Sequence, residues 1–220
     1  MHTLLVAALL SGAAFAQETI DVGVLKQGDI SVVQNLLYPK KDKNELGVHA
    51  GVMPFDRYTL TPVGSLSYTH HYSEALGADV SLSGGYGLKN SAYRELEGPE
   101  YNVAPDAYRF LGSVMGHIHY APIYAKMSIL GGRVVHHDVY GLLGAGLTVE
   151  QAILPDNTLA FSPTIGAAIG MRVFLKEDTA IRIQLRDDVI LQQRTKTVDT
   201  QSWFVKQNLA VTVGYVLFRK

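Results

Sequence analysis

Read every second residue from Tyr58 to His71 and two different chains emerge. Tyr58, Leu60, Pro62, Gly64, Leu66 and Tyr68 make one series; Thr59, Thr61, Val63, Ser65, Ser67, Thr69 and His71 make the other. Side chains alternate between faces along a β-strand, so one face is apolar with a tyrosine near each end and the other carries small hydroxyls. A soluble sandwich strand alternates too, but soluble strands run to roughly 5–6 residues. This one covers 14, more than the roughly 9–11 that a tilted membrane-spanning strand needs. Tyrosines at the ends of the apolar face suit the interfacial girdles of membrane barrels. The stretch therefore predicts one strand of such a barrel, which requires an even number of such strands in all.

Composition narrows the alternatives. The formal charge is −1 and charged residues are 18 % of the 220-residue chain. That supplies no basic field for nucleic acid, and none is expected as a partner. Cysteine is absent, which removes thiol catalysis, disulfides and Cys-ligated metal sites. Leu4–Ala16 is apolar and ends in Ala14-Phe15-Ala16, the small-x-small pattern of a signal-peptidase site. Residues 1–16 are read as an export signal, although Met1-His2-Thr3 carries no Lys or Arg. Residues 17–43 are read as a periplasmic leader. Its Pro39-Lys-Lys-Asp-Lys43 run is expected to be a solvated charged collar before the first strand. No later stretch has the 18 uninterrupted apolar residues of a membrane helix, so membrane contact falls to a barrel or to the surface.

Residues 44–220 divide into eight such segments: about 45–53, 58–71, 76–87, 108–120, 134–149, 159–175, 180–193 and 203–218. The fifth lacks clean alternation because Gly141-Leu-Leu-Gly-Ala-Gly-Leu147 is small or apolar on both faces. Residues 121–133 read equally as a short helix or a strand extension. Segments 88–107, 150–158 and 194–202 read as polar loops on one side of the membrane, with shorter turns at 72–75 and 176–178 on the other. This is the asymmetry of outer-membrane barrels, broken by a short outer loop at 54–57 and a long inner turn at 121–133. The expected fold is all-β: an eight-stranded antiparallel up-and-down transmembrane β-barrel, in which side chains fill the interior.

Several motifs carry a resemblance. They are Gln34-Asn-Leu-Leu-Tyr-Pro-Lys-Lys41 with Glu45-Leu-Gly47, Ser113–Tyr120 with Ala121-Pro-Ile-Tyr-Ala-Lys126, His136-His-Asp-Val-Tyr-Gly-Leu-Leu-Gly-Ala-Gly146, and Arg182-Ile-Gln-Leu-Arg-Asp187. Over nearly the whole mature chain the sequence resembles the outer-membrane β-barrel domain family common in myxobacteria and their relatives. The resemblance implies outer-membrane lipid as the surroundings. It also implies the barrel-insertion machinery as a partner in biogenesis, and Phe218 near the end of the last strand resembles the signal that machinery reads. Some members of this class belong to gliding-motility envelope complexes, so envelope or motility proteins are implied partners.

Within the barrel, Asp79, Arg109, Arg172, Arg182, Arg186 and Asp188 are predicted to face the lumen. A narrow interior without a water channel must pair such charges, so they are read as a structural ion-pair network. A constricted pore is the competing reading. Asp187 falls on the lipid face by strict alternation, which places it at the interface or calls for a bulge. Six of the eight histidines fall in three pairs, His70-His71, His117/His119 and His136-His137. His71, His117 and His119 point inward near Asp79 and Asp138; they are a candidate metal cluster, set against ordinary hydrogen-bonded lumen histidines. No cofactor is expected. The chain has no Gly-x-Ser-x-Gly elbow, Walker loop, dinucleotide fingerprint or His-Glu-x-x-His, and Ser91, Ser162 and Ser202 have no histidine placed beside them. Gly84-Gly-Tyr-Gly87 reads as close strand packing. The expectation is a non-enzymatic outer-membrane barrel of structural or interaction type. A narrow channel and a lipid-modifying barrel enzyme stand behind it, and a soluble periplasmic barrel is the alternative to insertion.

Overall fold

A computed structural model describes residues 37–103, 105–129, 133–153, 158–197 and 200–220. The predicted export signal (1–16) and most of the predicted leader (17–36) lie outside the described residues. Among the described residues, nine strands and one short helix follow in order: β1 (Asn44–Met53), β2 (Thr59–His71), β3 (Leu76–Gly85), β4 (Leu88–Lys89), α1 (Ser91–Glu97), β5 (Tyr108–Ile129), β6 (Arg133–Ala152), β7 (Leu159–Lys176), β8 (Thr179–Thr197) and β9 (Thr200–Arg219). Eight of them form a ring in which each long strand pairs antiparallel with its neighbours in sequence, and β1 closes on β9. The two-residue β4 only adds to the start of β2.

Closure requires stagger. From Leu76 the paired residues run through Tyr120, Gly141, Ile169, Leu185, Val211 and Val52 to Pro62. Pro62 lies one position beyond the Val63–Gly85 pair, so the path returns to β3 ten residues from its start. A barrel staggered in this way has strands tilted to its axis and an interior that side chains can fill. The end holding Asn44 and Arg219 is called the terminal end below, and the opposite one the far end.

The alternation read from β2 is the alternation observed. Thr69 is 0 % exposed and Leu66 is 54 %, and the same contrast runs along the strand. Large apolar side chains, Val48, Val80, Val114, Leu143, Ile165 and Val213 among them, therefore stand on the outside of the ring. Exposed tyrosines 68, 72, 120 and 215 ring the terminal end, and Tyr86, Phe161 and Trp203 stand toward the far end. In β6 the apolar run resolves into Leu143 and Leu147 outward and Leu142 inward, with Gly144 and Gly146 sharing the inward face. Glycine is required where a ring lies flat on a neighbouring strand. A Cβ at Gly170 would sit 2.3 Å from the Tyr140 ring, and one at Gly214 1.9 Å from the His49 imidazole.

Two hairpins are longer than the sequence suggested. Residues 121–129 continue β5 and pair with β6 down to Ile129–Arg133, after an irregularity between Tyr120 and Ile123. The helix-or-strand ambiguity thus resolves to strand. Residues 194–197 and 200–202, expected as a polar loop, likewise extend β8 and β9. Beyond the apolar belt a ribbon needs no oily face, so cross-strand hydrogen bonds carry it without a hydrophobic signal. The 88–107 loop holds β4 and α1; the helix is capped by the Asn90 side chain, which accepts from Tyr93 N at 3.0 Å. Tyr93 is buried with Ala107, Ile153 and Tyr58 over the far end. Among the described residues no helix is long and apolar enough to cross a membrane.

Candidate functional site

The interior is polar in the middle and apolar near both ends. Met53, Val63, Phe110 and Ala210 cluster on the far side. Phe174, Ala180, Val216 and Phe218 cluster on the terminal side, joined by Tyr38 and Tyr124. Phe218, the aromatic near the end of the last strand, points inward and stacks on Phe174 with centroids 5.9 Å apart.

Between these clusters, inward positions of separate strands bring charged groups together. Glu45 on β1 is fully buried. Its Oε1 accepts from Arg182 Nη1 at 2.9 Å, and its Oε2 accepts from His71 Nε2 at 2.9 Å and lies 3.1 Å from Arg172 Nη2. Arg172 also reaches Asp138 at 3.4 Å and donates to His119 Nε2 at 2.9 Å. Arg182 donates from Nε to the Tyr140 hydroxyl at 3.0 Å and lies 3.8 Å from Asp79. The Tyr140 ring takes both guanidinium groups on its face, Arg182 at 4.6 Å and Arg172 at 5.4 Å. Asp79 accepts from Thr69 Oγ1 at 2.7 Å and from His117 Nδ1 at 3.1 Å. Farther along, Arg186 pairs with Asp188 at 3.0 Å and donates to Ser83 at 3.2 Å. On the far side Lys206 lies 2.8 Å from both Asp56 and Glu150, and Gln192 donates to Glu150 at 3.0 Å.

Five of the six predicted lumen charges, Asp79, Arg172, Arg182, Arg186 and Asp188, thus stand buried inside the ring. Arg109 does not join them. A register shift between Phe110 and Gly112 turns Phe110 inward, and Arg109 instead stacks on and hydrogen-bonds the exposed Tyr86. A bulge moves every residue before it to the other face, which strict alternation cannot foresee. Asp187 stays on the outer face without a bulge, opposite Ala167, and accepts from Gln207.

His71, His117 and His119 all point inward, but each is committed to a different partner: Glu45, Asp79 and Arg172 respectively. Because guanidinium only donates, His119 Nε2 must be the acceptor, whereas His71 Nε2 and His117 Nδ1 donate to carboxylates. Among the described residues no three His, Asp or Glu side chains converge as a metal-binding group would. This geometry counts against the candidate metal cluster and favours hydrogen-bonded lumen histidines.

The sequence reading missed Glu45, Glu150, Asp56, Lys206 and Lys40. Glu45 is the second residue of β1 and faces inward beside the outward Leu46, so the alternation that identified Asp79 also signalled it. Lys40 was expected in a solvated collar but is 3 % exposed, its ammonium 2.5 Å from Asp138 Oδ2. Burial pulls that ammonium below its ordinary range, with Asp138 opposing the shift. For Asp56, burial pushes the carboxyl up, but Lys206 and the backbone N–H groups of Tyr58 and Thr59 together hold it below its ordinary range. Around Asp79, His117, Arg182 and Arg186 the interior encloses a cavity of about 20 Å³, on the order of a single water.

The closed ring, its outward apolar surface and its charge-paired interior have the architecture of the small eight-stranded β-barrels of bacterial outer membranes. No family model matches the chain, and no curated protein sequence does. Among solved structures, it is similar to the N-terminal β-barrel domain of Pseudomonas aeruginosa OprF. That match has 10 % identity and a TM-score of 0.50 and covers 81 % of this chain and 98 % of that one. Neisserial surface protein A matches at 10 % identity and a TM-score of 0.46, over 80 % of this chain and 94 % of that one. Ail of Yersinia pestis matches at 13 % identity and a TM-score of 0.45, over 81 % and 99 %. At this identity the likeness to the OprF domain is one of fold alone.

Proposed function

We propose that this protein is a closed outer-membrane barrel of structural or interaction type, which contributes to envelope organisation through its end loops and does not conduct. The terminal end, where the leader enters, would face the periplasm, and the α1 loop and the β8–β9 hairpin would face outward. The observation that carries this reading is the buried cross-brace of Glu45, Arg172, Arg182 and Asp138, which spans the interior from β1 through β6, β7 and β8. A narrow channel needs a continuous wet path at this level. Here the side chains meet each other at hydrogen-bond distance.

Outer-membrane location is supported by the exposed apolar belt and its tyrosine girdle. Lipid contact and biogenesis through the barrel-insertion machinery follow from that location. The finer assignment, to the barrel family typical of myxobacteria with envelope or motility proteins as partners, rests on the motifs quoted above. No catalytic role is assigned; unchanged lipid mass spectra on deletion of the gene would agree with that.

The test is reconstitution into planar bilayers, with insertion verified by heat-dependent migration on a denaturing gel. Folded protein that leaves the membrane electrically silent is the expected result. Steady channel openings from verified protein would overturn the proposal.

A further inference from the structure

The terminal mouth is closed by residues that lie in no strand. Tyr38 lies flat on Phe174, with centroids 5.2 Å apart and planes 10° from parallel, and its ring meets His136 edge-on at 5.2 Å. The Glu74 carboxylate, in the β2–β3 turn, accepts from Lys40 N at 2.9 Å and Lys41 N at 3.1 Å. The chain then turns through Asp42, whose φ of 59° is left-handed, a conformation that aspartate tolerates better than most residues. Lys43 N bonds Lys40 O at 3.0 Å, and Asp42 N bonds His71 O at 2.9 Å. These contacts aim the Lys40 side chain into the barrel, where it meets Asp138.

Charge balance shows what that side chain does. The terminal half of the interior sets Lys40, Arg172 and Arg182 against Glu45, Asp79 and Asp138. Two of the three cations belong to strands, and the third is carried by the strap. Asp138 Oδ2 has Lys40 at 2.5 Å and Arg172 at the longer 3.4 Å, and Asp138 Oδ1 has no hydrogen-bond partner. A buried carboxylate that loses its nearer cation must draw in water or another cation, or take up a proton.

We propose that Tyr38–Lys41 is a tethered plug: the chain's own lysine fills an acidic, aromatic-walled socket at the terminal mouth, and withdrawing the strap opens that socket to water and cations. The plug governs access to Asp138 and not conduction, because Glu45, Arg172 and Arg182 stay on their strands. Burial lowers the proton affinity of Lys40 despite its partner, so seating the ammonium costs part of what the ion pair returns. A withdrawable plug has that property.

The experiment labels carboxylates of the full chain, folded in micelles, with a water-soluble carbodiimide and an amine, read by peptide mass spectrometry. Exposed Glu97 serves as the labelled control. In the wild type Asp138 stays unlabelled. In the Tyr38→Ala/Lys40→Ala/Glu74→Gln variant with intact heat-dependent migration, Asp138 labels at least about tenfold faster, as a local opening predicts. Equal protection in that variant overturns the plug, because the barrel would then close its own mouth. Should the variant fail to fold, amine acetylation of the wild type decides. A seated Lys40 reacts at least about tenfold more slowly than exposed Lys41, and equal rates overturn the proposal. Neither readout depends on whether the barrel conducts.

Discussion

Glu45 answers to two guanidinium groups and one imidazole within 3.1 Å. Neutralising it leaves Arg172 and Arg182 buried with less negative charge between them. Breaking a buried pair from one side costs about 3–5 kcal/mol, since the stranded charges stay behind. Glu45→Gln is therefore expected to lower the denaturant midpoint of the folded barrel strongly, read by the shift from folded to unfolded gel mobility in urea. An unchanged midpoint would mean that the cross-brace does not hold the interior. Single residues also mark the limit of reading from sequence. Alternation placed Asp79, Arg172, Arg182, Arg186 and Asp188 on the inner face, but it held no information on which cation meets which carboxylate. Pairing depends on the stagger between strands, and that stagger is set by closure of the whole ring.

Among the elements, strands with a large contrast between faces were legible. β2 and β7 were bounded closely because apolar outward positions oppose polar inward ones. The elements that escaped lack that contrast. The outer half of the β8–β9 hairpin is a largely polar run in sequence, and the end of β5, Ala121–Ile129, mixes apolar and small residues with Lys126 without alternation. Lys40 escaped because a lysine run reads as solvated, and nothing local announces that Glu74, 34 residues away, will turn one of its members inward. The short β1–β2 connection supplies a prediction of its own. Asp56 bonds Lys206 and two backbone N–H groups, and its folded pKa lies below the ordinary aspartate value of about 3.9. A depressed carboxylate contributes stability that is present above its unfolded pKa and lost as pH falls through its folded one. Asp56→Asn is thus expected to lower the denaturant midpoint at neutral pH, and the gap from wild type should close as pH drops below about 4. A gap that persists unchanged at lower pH would assign the effect to packing and not to charge.

For the whole molecule, the arrangement inverts a soluble core. Oily side chains face out, hydroxyls and ion pairs fill the centre, and apolar clusters close in toward both ends. That inversion makes sense only in lipid, where the outward face loses nothing by being exposed and each backbone group is satisfied around the ring. The class of fold was therefore the most legible feature of this sequence, since it follows from one periodicity that recurs along the chain and is blurred only in the fifth segment. The most direct check uses the absence of native cysteine. Single cysteines are placed in turn from Leu60 to Thr69 on β2, spin-labelled and reconstituted in vesicles, and their collisions with lipid-soluble oxygen and with a water-soluble nickel chelate are measured. The account predicts a two-residue rhythm: labels at 60, 62, 64, 66 and 68 meet oxygen, whereas those at 61, 63, 65, 67 and 69 are shielded from both reagents. Labels on both faces that collide with the nickel chelate, or an oxygen signal without alternation, would contradict it.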